Sequence, residues 1–129
     1  MAAKTQYDYA IYLFQQGFYE DAVSHFDEVL HEQETAEGWS DWATAHFALS
    51  HFTEAERGFR RALQLNPELQ DAAVNFGTML ASLHRWQEAI DTLEKILPDL
   101  EPAAYTAVRA LAGQCREQLE RAAPAPGKS

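Results

Sequence analysis

The sequence predicts an all-α protein, a solenoid of three helix-turn-helix repeats closed by a C-terminal cap helix. Three observations carry this prediction. One motif recurs three times in phase, a second helical stripe precedes each copy, and one further apolar stripe comes after the last.

The recurring motif runs from an aromatic residue through an alanine to a second bulky residue. Its copies read Tyr19-Glu-Asp-Ala22-Val-Ser-His-Phe26, Phe52-Thr-Glu-Ala55-Glu-Arg-Gly-Phe59 and Trp86-Gln-Glu-Ala89-Ile-Asp-Thr-Leu93, with the anchor alanines 33 and 34 residues apart. Val29, Ala62 and Ile96 extend each apolar stripe by three residues. Upstream lie Tyr9, Ala10 and Leu13, then Trp39, Trp42, Ala43 and His46, then Ala73, Phe76, Gly77 and Leu80. Spacings of three and four place each set on one helical face. The predicted turns within the pairs are Gly17-Phe18, residues 50–53 and residues 83–85. Thr53 and Glu56 fit a capping box, and Asn66-Pro67 fits an N-cap followed by proline in the first helical position. Pro98 and Pro102 stop the last helix of the third pair and begin the cap segment. Ala104, Val108, Leu111, Cys115 and Leu119 then draw the stripe of the cap helix. The expected boundaries are 3–35, 36–69 and 70–102 for the repeats and 103–121 for the cap, in a single domain over 3–121. Residues 122–129 form an expected flexible tail, with nothing to bury.

Composition is consistent with such a domain. The chain has 129 residues, 47% hydrophobic and 23% charged, a mixture that folds. Its formal charge of -10 opposes binding to a phosphate backbone, so nucleic acid is not an expected partner. No apolar run is long enough for a bilayer, so a membrane is not expected either, and no secretory signal is visible. A single cysteine, Cys115, excludes an internal disulfide and suits a reducing, cytoplasmic setting.

In motif and period the chain resembles the tetratricopeptide repeat family, over residues 3–121. The family signature is a Trp, a Leu-Gly pair, a Tyr, an Ala, a Phe, an Ala and a Pro in a unit of 34 residues. The second repeat matches it best, with Trp39, Ala43, Ala55, Phe59, Ala62 and Pro67. The third keeps Gly77, Leu80, Ala89 and Leu93 but has Ala73 in the Trp slot, and the first has Gln6 there and Glu34 in place of the closing proline. The resemblance implies a right-handed superhelix whose first helices line a concave wall that binds protein or peptide. Small residues at Ala10, Ala43 and Gly77, and at Ala22, Ala55 and Ala89, would let paired helices approach closely.

On that wall the residues left over from the core stripes are informative. The candidate peptide-binding set is Tyr7, Asp8, Ile11, Phe14, Asp41, Thr44, Phe47, Val74, Asn75 and Thr78. A merely solvated face would be charged, whereas Tyr7, Ile11, Phe14, Phe47 and Val74 are not. Asp8, Asp41 and Asn75 recur at the repeat spacing; they suit peptide N–H groups or basic side chains, and short acids near a helix start also favour the macrodipole. The resemblance further implies a test for the family's carboxylate clamp of cations and asparagines. Here Tyr7 and Ile11 stand in the first-repeat slots, Asp41 in the second, and Asp71 and Asn75 in the third, so the clamp is absent and a neutral-apolar or basic ligand is preferred. Burying three or four such side chains at about 1.5–3 kcal/mol each, against an association cost of about 4–15 kcal/mol, points to micromolar affinity.

Signs of chemistry are sparse. The five histidines lack metal-chelating spacing, Cys115 falls on an apolar stripe, and no phosphate loop or nucleophile elbow occurs, so neither catalytic residues nor a cofactor nor a metal is expected. Arg57, Arg60 and Arg61 are expected to pair with Glu54 and Glu56. Residues 1–41 hold nine acids and one base, whereas 102–129 hold two acids and four bases, which permits weak head-to-tail self-association. The leading expectation is a protein-interaction adaptor. Its alternatives are an oligomerising or domain-positioning scaffold, and more remotely a small metal-binding protein or enzyme.

Overall fold

The computed structural model describes residues 3–122, and these are all-α, as predicted. The helices are α1 (Ala3–Gln15), α2 (Tyr19–Glu32), α3 (Ala36–Ala48), α4 (Phe52–Leu65), α5 (Gln70–Ser82), α6 (Trp86–Glu94) and α7 (Pro102–Ala122). A 3-10 turn, Leu97–Asp99, separates α6 from α7. Beyond Ala122 the expected tail lies outside the described residues. The chain forms two compact units, one ending at Ala72 and one beginning at Ala73, so α5 starts in the first and continues in the second.

In the first unit, Ala10 and Leu13 of α1 and Ala22, Phe26 and Val29 of α2 are buried. Phe26 and Phe59 are both fully inaccessible, and each such side chain contributes about 1.5–3 kcal/mol by leaving water. The α3–α4 pair closes at Gly58, where an added Cβ would stand 2.7 Å from the Trp42 ring and 2.8 Å from the Ala43 Cβ. Only a residue with no side chain fits there. Helix α3 joins α2 through the Trp42 indole N–H, which donates to Asp27 Oδ1 at 2.6 Å. Thr35 caps α3 by accepting from the Gly38 N–H at 3.0 Å. Next to that cap, Glu34 accepts two bonds from Arg61, at 2.5 and 2.9 Å, and one from the Trp39 indole at 2.7 Å. Those donors hold the Glu34 carboxyl down at about 2.

Each helical pair turns through one residue with left-handed backbone. Gly17 has φ 86°, Ser50 62° and His84 61°, at spacings of 33 and 34 that repeat the period of the motif. In the second unit Gly77 plays the part of Gly58, since a Cβ there would lie 2.5 Å from the Leu93 side chain. Leu93, Val108 and Ala112 form a buried cluster between α6 and α7, flanked by Val74, Leu97, Leu100 and Leu111. Pro102 opens α7 in the position where its missing N–H costs nothing.

Several local expectations need correction. Helix α4 begins at Phe52 after an uncapped His51, so Thr53 falls inside the first turn and the capping box does not form. Asn66 ends α4 rather than starting α5; its side chain accepts from the Glu68 N–H at 3.0 Å, and the next helix starts only at Gln70. Of the three arginines only Arg60 pairs as expected, with Glu56, while Arg61 reaches Glu34 and Arg57 lies 5.2 Å above the Trp42 ring. Two stripe residues lie outside the core: Tyr9 is 44% exposed and Ala104 is exposed.

Candidate functional site

Seven of the ten candidate residues lie on α1 and α3, both within the first unit. Tyr7 is half-buried, packs edge-on against Phe26 at 5.9 Å, and donates its hydroxyl proton to Asp41 Oδ2. That bond joins α1 to α3 across one repeat. Burial, then the hydrogen bond to Asp41 and its charge, push the Tyr7 hydroxyl far above the usual tyrosine range, so it remains a donor. Asp41 is half-buried; burial raises its carboxyl, the Tyr7 bond lowers it in part, and the charges of Asp71 and Glu37 raise it again, leaving it above 3.8. The Asp41 rung of the expected ladder is therefore already engaged within the molecule. Asp8 is exposed.

The aromatic candidates are partly enclosed. Phe14 is half-buried with its ring 5.3 Å from Tyr19, and Phe47 is half-buried 6.1 Å from Phe52. Ile11 is half-buried on the same helix as Tyr7. Thr44 spends its hydroxyl proton on the Ser40 carbonyl at 2.8 Å. A cleft of about 330 Å³ opens beside Tyr7, between Lys4, Val29, Gln33, Thr35 and Glu37. It brings one candidate together with residues outside the candidate set.

The remaining three candidates belong to the second unit. Val74 packs against the Leu93–Val108–Ala112 cluster, Asn75 is half-buried, and Thr78 is exposed with its hydroxyl bonded to the Val74 carbonyl at 2.7 Å. Thr78 lines a cleft of about 400 Å³ with Ala81, Ser82, Trp86, Leu111, Gln114, Cys115, Glu117 and Gln118. The Ser82 hydroxyl is also satisfied internally, by the Met79 carbonyl at 2.6 Å. The cleft thus combines an indole, Leu111 and small side chains with the amides of Gln114 and Gln118. Sequence reasoning missed the α7 contribution, although Gln114 and Gln118 stand one helical turn apart, which was the available signal.

The histidines form one direct contact. His46 is 8% exposed, its ring lies 4.3 Å from Trp42, and its Nδ1 is 3.0 Å from His51 Nδ1. Burial, with the neighbouring His51 next in effect, lowers His46 below 6.5. The ring centroids are 5.2 Å apart, so the two nitrogens face each other along a hydrogen bond rather than converging on a third point. No group of three or more His, Cys, Asp or Glu among the described residues could hold a metal ion. Cys115 is 1% exposed and burial pushes its thiol up, which fits a small apolar residue. No described helix is long and apolar enough to cross a membrane.

Paired helices with small residues at their contacts, repeated at 33 and 34 residues, define a helical repeat protein. The sequence model of the tetratricopeptide repeat matches residues 40–105, and the chain belongs to that family. Sperm-associated antigen 1 of mouse is 31% identical over 96 residues, covering 72% of this chain, and its rat counterpart is 29% identical over 112 residues, covering 87%. The chain spans only 11% and 12% of the lengths of those two relatives. Among solved structures it is similar to the TPR2B domain of yeast Sti1 in its complex with an Hsp70 peptide, with TM-score 0.82, 21% identity and coverage of 90% of this chain and 97% of that one. The first TPR domain of Spaghetti (RPAP3), bound to the HSP90 peptide SRMEEVD, gives TM-score 0.77 and 21% identity, covering 88% and 93%.

Proposed function

We propose that this chain is a protein-interaction adaptor that holds an extended peptide or partner segment of neutral-apolar or basic character. The observation that carries this reading is the open cleft of the second unit, where Thr78 of the candidate set meets Leu111, Trp86 and the two glutamine amides. Apolar walls with a few amides suit an uncharged backbone, because the amides can pair with peptide N–H and C=O groups while small side chains fill the space between. In the first unit Glu37, Asp41 and Asp71 crowd one another electrostatically, which favours a cation nearby and repels a carboxylate. The relatives that hold Hsp70 and HSP90 peptides support a peptide-binding role in general; the acidic SRMEEVD sequence is not the ligand chemistry that this surface favours.

The test is a peptide-library selection with the wild type beside Ala81→Arg, a change at a half-buried cleft residue. Selected peptides should be uncharged or basic, and the variant should lose their binding at least tenfold with its helicity unchanged. Equal binding by the two proteins would remove the cleft from consideration.

A further inference from the structure

The three first helices share a register, with Tyr9, Trp42 and Phe76 in one slot and Tyr12, Ala45 and Met79 in another. Trp42 is 4% exposed, Phe76 3%, and Ala45 and Met79 are fully buried. The matching residues of α1 are not: Tyr9 is 44% and Tyr12 53% exposed, their rings stacked 6.3 Å apart and inclined by 15°. Phe18, where the chain turns into α2, is 56% exposed. A free end of a repeat array needs a polar outer face, and this one carries aromatic rings.

The second hairpin shows what such a ring takes. Trp42 is covered on one side by α2, through Asp27, and on the other by the Arg57 guanidinium 5.2 Å above it. One repeat earlier, Ser24 stands in the place of Arg57, and its hydroxyl bonds the Glu20 carbonyl. Residues 1–41 contain no arginine and one lysine against nine acids, so a cation for the tyrosine rings must come from elsewhere. The basic part of this chain is its C-terminal region, where α7 exposes Tyr105 and Arg109 one turn apart. Next along that flank, a Cβ on Gly113 would meet nothing within 4 Å, so the surface stays open to close approach.

We propose that the Tyr9–Tyr12 face of α1 is one half of a head-to-tail contact between two copies of this chain, and that the Tyr105–Arg109 flank of α7 is the other half. Arg109 of one copy lies over the stacked rings of the next, as Arg57 lies over Trp42, and the acidic hairpin faces the basic helix. Because the two surfaces differ, the contact is heterologous and each copy keeps one free half.

Light scattering behind size exclusion, from micromolar to millimolar protein, tests this. The mass of the wild type should rise with concentration at low salt and fall back as salt is raised. Tyr12→Glu and Arg109→Glu, both at exposed positions, should each be monomeric with unchanged helicity and at least a tenfold weaker association. Mixed in equal amounts, they should form a species of two chains and nothing larger, since one variant keeps its tail and the other its head. Should Tyr12→Glu lose helicity, Tyr12→Ser removes the ring without adding charge. A wild type that stays monomeric throughout, a mixture that stays monomeric, or an Arg109→Glu protein that still associates would each overturn the proposal.

Discussion

Asp41 shows how one carboxyl can serve the fold and weaken it together. It receives the Tyr7 hydroxyl, yet burial and the charges of Asp71 and Glu37 outweigh that bond and leave it harder to ionise than a free side chain. A carboxyl raised in this way binds its proton more tightly when folded. Its ionised form therefore costs stability at neutral pH, a cost that disappears as pH falls through the raised value towards 3.8. Asp41→Asn keeps an oxygen to accept from Tyr7 and removes the charge. The variant should melt at a higher temperature than the wild type at pH 7, with the difference closing near pH 4, measured by circular dichroism at both values. A wild type that melts higher at pH 7 would show that the hydrogen bond, not desolvation, dominates. The presence of Tyr7 and Asp41 on one face was legible in the sequence, because their separation of 34 is the repeat period. Their bond to each other was not, since periodicity places two side chains without saying whether they face a ligand or one another.

At the scale of the helices, close approach decides what a position tolerates. Propensity alone favours Gly58→Ala by about 1 kcal/mol, because glycine pays backbone entropy in a helix. Against that stands overpacking, at about 1–3 kcal/mol, since the new methyl would sit 2.8 Å from the Cβ of Ala43, which has no rotamer to move. Packing should win, and the urea midpoint of Gly58→Ala should fall with an unchanged slope. The helices themselves were legible because alanines and bulky residues recur at helical spacing. Their ends were harder to read. Thr53 and Asn66 both have the chemistry of N-caps, but left-handed Ser50 starts α4 one residue early and Asn66 turns its amide to Glu68. Local capping signals lost there to the geometry of the turn.

For the whole molecule, charge selects partners before contacts do. With a formal charge of -10, the chain attracts basic peptides at long range and repels acidic ones. Fluorescence anisotropy should show a basic library peptide binding less tightly as salt is raised, whereas labelled SRMEEVD should show no saturable binding at any salt concentration. Saturable binding of that acidic peptide would contradict the absence of a carboxylate clamp. Charge, repeat number and candidate face were all legible in the sequence. The cleft beside α7 was not, because the cap helix departs from the repeat pattern and its glutamines carry no family signature.

Cys115 is the sole cysteine, 1% exposed, and borders that same cleft. A thiol-specific dye would therefore attach only when α7 lifts away from its neighbours, so labelling speed becomes a clock for that excursion. Anything lodged beside it should slow the clock, giving a readout of occupancy before any guest has been identified.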